Sequence, residues 1–484
     1  MLFNSYIFIF IFLPLTLLGY FSLNRINSKT SKFFLLAMSL WFYGYFNISY
    51  LLIIISSILV NYLLTYFIIR TERKKFKKVL FYLDIFFNLG LIFYYKYYNF
   101  FLKNISVLSG HSFELKNILL PLGISFFTFQ QISFCIDVYH GEVSGYSFLN
   151  YAVYVSYFPQ LIAGPIVTHD ELIPQFNDEK KRAINYDNIA KGLFLFILGL
   201  SKKVLLADVF GKAANYGYSN IYSLSSVDAL ITILSYTFEI YFDFSGYSDM
   251  ALGIAKMMNI DLPVNFNSPY AAINISDFWK RWHITLTRFF TKYVYFPLGG
   301  NRKGAIRTYL NILIVFFLSG LWHGSNWNFI FWGLLHGFAL VIYRKFRKSF
   351  DDLNPVLGWI ILFGFVNFSW IFFRADTIKN GLQLIHRVLL FNFNSVDINL
   401  IKPFQISEIF VFFSRIPFFG TRYANDFVYA FFVIALFIVL QKNNSYMLMG
   451  KGQYSVLKLV VCLMLTMLCV TSFSSLSIFL YFNF

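Results

Sequence analysis

The sequence predicts an all-α polytopic membrane protein with about eleven transmembrane helices, and three observations carry that expectation. Of 484 residues, 58% are hydrophobic, 22% aromatic and only 13% charged, too few polar side chains to cover the surface of a soluble chain. Apolar runs of membrane-spanning length recur from one end to the other. The 40 basic residues outnumber the 23 acidic ones and gather in short loops between those runs, the pattern of the positive-inside rule. In a soluble domain a net charge of +17 would suggest nucleic acid. Here it describes loop topology, so membrane lipid is an expected partner and nucleic acid is not.

The first run, residues 1–21, has neither a basic n-region nor a small-residue cleavage site, and reads as a retained span rather than a signal peptide. Arg25, Lys29 and Lys32 follow it, and RTERKKFKK (70–78) follows the apolar residues 33–69. With both basic loops in the cytoplasm, the N-terminus is extracytoplasmic and 33–69 is a hairpin of two spans. Spans near 79–101 and 118–139 come next. Residues 148–166 are apolar but carry Pro159, Gly164 and Pro165, which predicts a broken, re-entrant segment buried in protein. Apolar segments near 188–206 and 227–258 follow, the second with Glu239, Asp243 and Asp249, carboxylates that need partners or a wet cavity. Further spans are expected near 308–322, 327–343, 356–373, 402–414, 425–440 and 454–482, the last broken near 471–475. Cys135, Cys462 and Cys469 lie in apolar runs without paired spacing and read as core filler, with no disulfide or thiolate metal site. No internal repeat is visible.

Residues 277–336 hold three polar knots between hydrophobic runs: DFWKRWHITLTRF (277–289), YFPLGGNRKG (295–304) and LSGLWHGSNWN (318–328). Arg302, Lys303 and Arg307 precede one apolar run, and Arg344, Lys345, Arg347 and Lys348 end the next. With both basic ends in the cytoplasm, 308–343 is a hairpin. Fifteen rises of about 1.5 Å put His323 roughly 22 Å from the basic end, inside the membrane beside the turn. An ionisable side chain there is costly, which makes His323 a functional candidate over a packing histidine. Gly320 and Gly324 let a backbone or substrate come close. His336 is thirteen residues on, an offset of about 220° on an unbroken helix, so the two are not a pair. DFWKRWHITLTRF reads as one amphipathic interfacial helix, with Asp277 and Arg281 at i, i+4 and Trp279, His283 and Thr287 on another face. His283 reads equally well as a site residue or as an interface histidine. His111, His140, His169 and His386 read as structural or solvated, and FPLGGNR as a tight loop.

The chain has no GxSxG elbow, no HExxH and no phosphate loop, so a self-contained hydrolase, zinc protease or NTPase lacks its apparatus. What a buried imidazole can supply is general-base catalysis, taking a proton from a hydroxyl as its oxygen attacks an activated acyl carbon. A carbohydrate or lipid transporter, with the 239–249 carboxylates along its path, and a non-catalytic export scaffold stand as readings of a different class.

FDFSGYSDMALG (242–253), LPVNFNSPYAAINISDFWKRWHITLTRFF (262–290), YFPLGGNRKG, GLWHGSNWNFIFWGLLHG (320–337) and VNFSWIFFRAD (366–376) together resemble the membrane-bound O-acyltransferase (MBOAT) family. PLGISFFTFQQISFCIDVYHGE (121–142) and YFPQLIAGPIVTHDELIPQF (157–176) are similar to the branch exemplified by the membrane subunit of alginate O-acetylation. The resemblance covers roughly 120–376. It implies a single membrane domain, with N-terminal spans in 1–117, a catalytic core in 118–376 and C-terminal spans in 377–484, whose tilted and broken helices enclose a central tunnel. It implies His323 as the catalytic residue and His283 as the second polar residue of the site, with Trp282, Trp322, Asp243, Asp249 and Asn267 lining the substrate path. It further implies an acetyl group supplied by acetyl-CoA or an acyl carrier protein thioester, with no bound cofactor or metal. The expected acceptor is an exported polysaccharide of the alginate type, reached through an extracytoplasmic partner, an SGNH-type acetyltransferase or other polysaccharide-modifying protein. Peptidoglycan O-acetylation and teichoic-acid D-alanylation are the alternatives within the family.

Overall fold

A computed structural model describes residues 1–394, 396–405, 424–450, 455–473 and 479–480. The described residues form helices and connecting turns with no strand among them, as a lipid solvent requires of any chain that is not a closed barrel. Four described helices are long and apolar enough to cross a membrane: Phe8–Ile26, Ser49–Arg70, Ala305–His323 and Pro355–Arg374. The predicted span at 402–414 lies outside the described residues beyond Gln405. The contacts divide the chain into two compact units, the first comprising Met1–Phe196 and Met250–Pro263, the second Ile197–Asp249 and Val264–Leu480.

In the first unit, α1 (Leu13–Ile26) continues a π-helical turn at Phe8–Phe12 and pairs with α2 (Ser28–Gly44). The rings of Phe3, Phe8, Phe12, Phe42 and Phe158 pack together there at centroid separations of 4.9–6.3 Å. Helices α3 (Ser49–Arg70), α4 (Lys74–Ile92) and α5 (Tyr98–Ser109) follow, then α6 (Ile124–His140). Polar side chains inside this bundle bond to one another. Asn88 Nδ2 donates to Asn61 Oδ1 at 2.6 Å and to Asp84 Oδ1 at 2.8 Å, and Gln131 Nε2 donates to Ser57 Oγ at 2.9 Å. The segment expected to break does so: α7 (Phe148–Ser156) stops at Tyr157 and a single turn, α8 (Phe158–Leu161), carries Pro159. Every residue from 151 to 167 is buried. His169 opens α9 (His169–Asn177), buried beside Asp137 with Nε2 to Oδ2 at 3.3 Å, a structural role. His111, His140 and His386 are exposed.

Helix α10 (Tyr186–Ser201) runs through a π-helical segment, Lys202–Ala207, into α11 (Asp208–Ser219). The apolar segment that carries Glu239, Asp243 and Asp249 is one 32-residue helix, α12 (Ser226–Met257), with Asp228 in its first turn. In the second unit a two-part helix, α13 (Ile275–Arg281) and α14 (Ile284–Phe290), precedes the hairpin of α15 (Ala305–His323) and α16 (Trp327–Lys345). Its arms touch backbone to backbone: a Cβ on Gly320 would stand 2.3 Å from the Phe329 carbonyl oxygen, and one on Gly333 would stand 2.3 Å from that of Phe316. Glycine at both positions is what allows the approach. Both basic ends of the hairpin lie on one side, and the turn with His323 lies on the other. After the short α17 (Arg347–Asp351), α18 (Pro355–Arg374) packs along α16 and leads to α19 (Ile378–Leu389) and α20 (Ile398–Ile401). Ala424–Leu440, Ser445–Gly450 and Val456–Thr471 are the last described helices.

Candidate functional site

The stretch 277–289 corrects the one-helix expectation. Helix α13 stops at Arg281, Trp282 is extended and His283 adopts a left-handed conformation (φ 45°, ψ 54°) before α14 starts at Ile284. Trp279, His283 and Thr287 therefore do not share a helix face. The cause is Asn265, whose Oδ1 accepts from His283 Nδ1 at 3.1 Å, Thr285 Oγ1 at 3.0 Å and Thr285 N at 3.3 Å, while its carbonyl accepts from Ile284 N at 3.0 Å. An asparagine that satisfies the free N–H groups of a helix start can fix a break inside a periodic pattern. A non-glycine residue with positive φ costs free energy and persists where its surroundings over-determine it. Asn274 caps α13 in turn, and the Asp277–Arg281 pair forms as expected with Nε to Oδ1 at 2.9 Å.

His283 is fully buried. Because Asn265 Oδ1 can only accept, Nδ1 carries the proton and Nε2 presents its lone pair, which has no hydrogen-bond partner. Its ring packs against Phe244 at 4.8 Å and Trp322 at 5.9 Å. Trp322 in turn stands 4.9 Å from His323, so one indole touches both imidazoles. His323, the last residue of α15, is 2% exposed. Trp332 of α16 and Phe373 of α18 meet it edge to face, each at 5.1 Å.

The other expected residues divide. Trp282 is buried among Phe266, Tyr270, Phe278 and Trp370 at 5.1–5.9 Å, a packing position under His283. Asn267 donates its N–H to the Arg281 carbonyl and accepts from Asn444, at 2.9 Å each, which ties the loop before α13. Asp243 bonds Lys203 Nζ at 2.5 Å through Oδ1 and accepts the Leu480 N–H at 2.8 Å through Oδ2. Asp249 bonds Lys202 Nζ at 2.6 Å. Glu239 is buried against Gly211 with Oε2 unbonded. No group of three His, Cys, Asp or Glu among the described residues is placed to hold a metal ion.

Sequence reasoning missed Asn265, Trp332, Phe373 and the placement of His336. His336 is fully buried, with Nε2 to Ser369 Oγ at 2.8 Å, and its ring lies 5.0 Å from Trp332. It does not touch His323 through a shared helix face, but both imidazoles flank the same indole because α15 and α16 fold back on each other. The repeated aromatics of WHGSNWNFIFW and the NFN of 265–267 were the only signals available.

Beside this ring cluster lies a cavity of about 680 Å³ lined by residues of α13–α17. Lys280, Arg344 and Arg347 line its basic end, and Trp279, Phe316 and Ser319 line its inner end. Ser319 is one helical turn, about 6 Å, from His323 on the same face of α15. Trp279 stands 6.0 Å from Trp332 and 5.2 Å from His336. Asp277 and Asp351 line the cavity too, Asp351 paired with Arg347 at 3.1 Å, and one layer of rings separates this charged cavity from the buried imidazole site.

The family model described as MBOAT, the membrane-bound O-acyltransferase family, matches residues 35–382. The chain is 41% identical to a peptidoglycan O-acetyltransferase of Helicobacter pylori, over 100% of this chain and 98% of that protein. It is 34% identical to a probable alginate O-acetylase of Pseudomonas aeruginosa, over 87% of this chain and 82% of that one. A teichoic acid D-alanyltransferase of Bacillus subtilis is 28% identical over 54% of the chain and 70% of its own length. The folded-back hairpin that buries His323, the helix break that buries His283, and these matches have one explanation: the chain belongs to the membrane-bound O-acyltransferase family and is an acyltransferase of the multi-pass membrane type.

Proposed function

We propose that this enzyme moves an acetyl group from a cytoplasmic thioester, acetyl-CoA or an acyl carrier protein thioester, to an exported polysaccharide, and that peptidoglycan is the acceptor. The observation that carries the reading is the cavity of about 680 Å³ lined by Lys280 and Arg344 beyond the Arg347–Asp351 pair, with Ser319 of its lining one helical turn from His323. Cationic side chains suit the phosphates of a pantetheine-linked donor. With the basic ends of α15 and α16 in the cytoplasm, the cavity opens to the donor side and His323 lies toward the outer leaflet. In this reading the protein lies in the cytoplasmic membrane.

In this reading His323 is the general base. Its imidazole accepts the proton of the acceptor hydroxyl while that oxygen bonds to the acyl carbon, and returns it to the leaving thiolate. His283, held by Asn265, presents a bare Nε2 that orients the acceptor by accepting a hydrogen bond from a second, neighbouring donor on it, leaving the proton of the attacking hydroxyl to His323. The acetyl ester formed at His323 is then passed on to the wall glycan, the final acceptor, by a separate extracytoplasmic acetyltransferase of the SGNH type or another polysaccharide-modifying protein. Peptidoglycan is preferred to an alginate-type polymer because the match to the peptidoglycan enzyme is both longer and of higher identity than that to the alginate protein.

The test is the O-acetyl content of purified wall glycan and of secreted polysaccharide in cells carrying wild type or a stably inserted His323→Ala. Loss of acetate from the glycan alone is expected. Glycan acetate that is unchanged in the variant would overturn the catalytic assignment, and loss confined to the secreted polymer would replace peptidoglycan with that acceptor.

A further inference from the structure

Two buried indoles beside the site lack any acceptor for their N–H: Trp279 and Trp332. Their neighbours are served. Trp370 Nε1 donates to Tyr270 Oη at 3.1 Å and Trp359 Nε1 donates to the Tyr270 carbonyl at 2.9 Å. A buried donor left without an acceptor costs about 1–3 kcal/mol, and each such group in a folded protein needs an explanation, of which a catalytic role is one. Trp332 is the one of the two whose ring packs on His323, at 5.1 Å and 89°. It is held rigidly, stacked on Trp370 at 5.5 Å and 15° and closed by Phe373 at 4.9 Å. Trp279 lines the cavity and reaches His323 through Trp332. His336 adds an unbonded acceptor on the same indole's flank: Ser369 Oγ donates to the Val366 carbonyl, so His336 Nε2–H donates to Oγ and Nδ1 is left bare.

We propose that the indole N–H of Trp332 is a catalytic hydrogen-bond donor to the carbonyl oxygen of the acyl group under attack at His323. The inference rests on the acetyl-transfer reading above. As the acceptor oxygen bonds to the acyl carbon, its proton passes to His323, the carbonyl π pair moves onto oxygen, and Trp332 stabilises the charge that forms there. Collapse restores the carbonyl and breaks the C–S bond, and the thiolate takes the proton from the imidazolium. A rigid donor held in a dry site pays no reorganisation as charge develops, which is the condition under which such a bond accelerates a reaction. It also supplies the acceptor that the N–H lacks.

The decisive comparison replaces the N–H and keeps the ring. The full-length protein, in inside-out membrane vesicles supplied with acetyl-CoA, is assayed for free CoA release and glycan acetylation in three forms: wild type, Trp332→Phe, and a form with the isosteric sulfur analogue 3-benzothienylalanine at position 332. We expect kcat to fall by on the order of 10²-fold in both altered forms, with KM for acetyl-CoA little changed, as removal of one oxyanion donor does elsewhere. The sulfur analogue separates this from a packing defect, because it preserves the indole's shape and therefore its melting temperature. Turnover by the analogue within about threefold of wild type would overturn the assignment. Wild-type turnover of acetyl-CoA no faster than that of His323→Ala would instead overturn the donor reading on which it rests.

Discussion

Two regions of the second unit place polar groups inside the membrane, and they treat them in opposite ways. Around Asp243 and Asp249 the aspartates are answered, although Glu239 one turn earlier keeps an unbonded Oε2: Lys203 lies 2.5 Å from Asp243 and 2.9 Å from Asp208, and Lys202 lies 2.6 Å from Asp249. Around His323 the polar atoms are exposed to one another's rings and several remain unanswered, among them His283 Nε2, His336 Nδ1 and Trp332 Nε1. Charge cannot stay unpaired in a low dielectric, so an ionic pair declares what it needs and finds it nearby. A neutral imidazole or indole can be left with an open valence at a cost of a few kcal/mol, and it is the open valence that can meet a substrate. Intramembrane polarity by itself is therefore a weaker marker of chemistry than intramembrane polarity left unsatisfied.

The largest effect that would break this contrast belongs to His323. Its replacement by alanine is expected to lower acetyl transfer by about 10³-fold or more, within the range for a general base, while the protein still inserts and keeps its melting temperature within a few degrees. Activity retained at a tenth of wild type would place chemistry elsewhere. Lys203→Ala should do the reverse. Lys203 is 2% exposed, and leaving Asp243 and Asp208 buried without their cation is expected to cost about 3–5 kcal/mol of stability. The yield of folded protein and the detergent-solubilised melting temperature should fall, with near-normal activity per folded molecule. A Lys203→Met, Asp208→Asn and Asp243→Leu triple variant, which removes both carboxylates with their cation, should recover most of that loss, and failure to recover would mean the cluster does more than hold the helices.

Asn265→Ala falls between the two regions in character. It removes the cap of α14, worth about 1 kcal/mol, and frees His283, so transfer should drop by up to about 10²-fold because a small misplacement of a site residue is costly. Asn265→Asp keeps both acceptors and should restore most of the activity. The smallest effect lies at the basic end of the cavity. Asp351 accepts from Tyr343 Oη at 2.7 Å and from Arg347 Nε at 3.1 Å, and these bonds hold its carboxyl below the usual range. A carboxyl lowered in the folded state contributes stability that is present above its unfolded value, about pH 4, and is lost as pH falls through the folded value. Thermal scans from neutral to acid pH should show Asp351→Asn and wild type converging at the acid end. Asp351 is exposed, so solvent screening keeps the difference small.

Much of the architecture could be read from residue order. The hairpin expected at 308–322 and 327–343 is α15 and α16, and the break expected in 148–166 is present with its residues buried. The spans near 356–373 and 425–440 correspond to α18 and Ala424–Leu440. The carboxylates at 243 and 249 could be foreseen as needing partners, but Lys202 and Lys203 lie some forty residues earlier and the pairing depends on how α12 packs on the preceding helix. The periodicity of 277–289 misled for a similar reason. Nothing inside that segment announces a break, since the group that makes it is Asn265, eighteen positions upstream.

What the order of residues determined alone was the class of solvent, the approximate ends of the helices and the place of His323 at the turn of its hairpin. Each depends on local quantities: side-chain transfer free energy summed along a run, the missing N–H of proline, and a rise of about 1.5 Å per residue. Only the tertiary structure decided which polar atoms are paired and which are left open. That outcome depends on donors and acceptors brought together from α12, α13, α16 and α18, and a hydrogen bond exists only where two groups from different parts of the chain meet within about 3 Å.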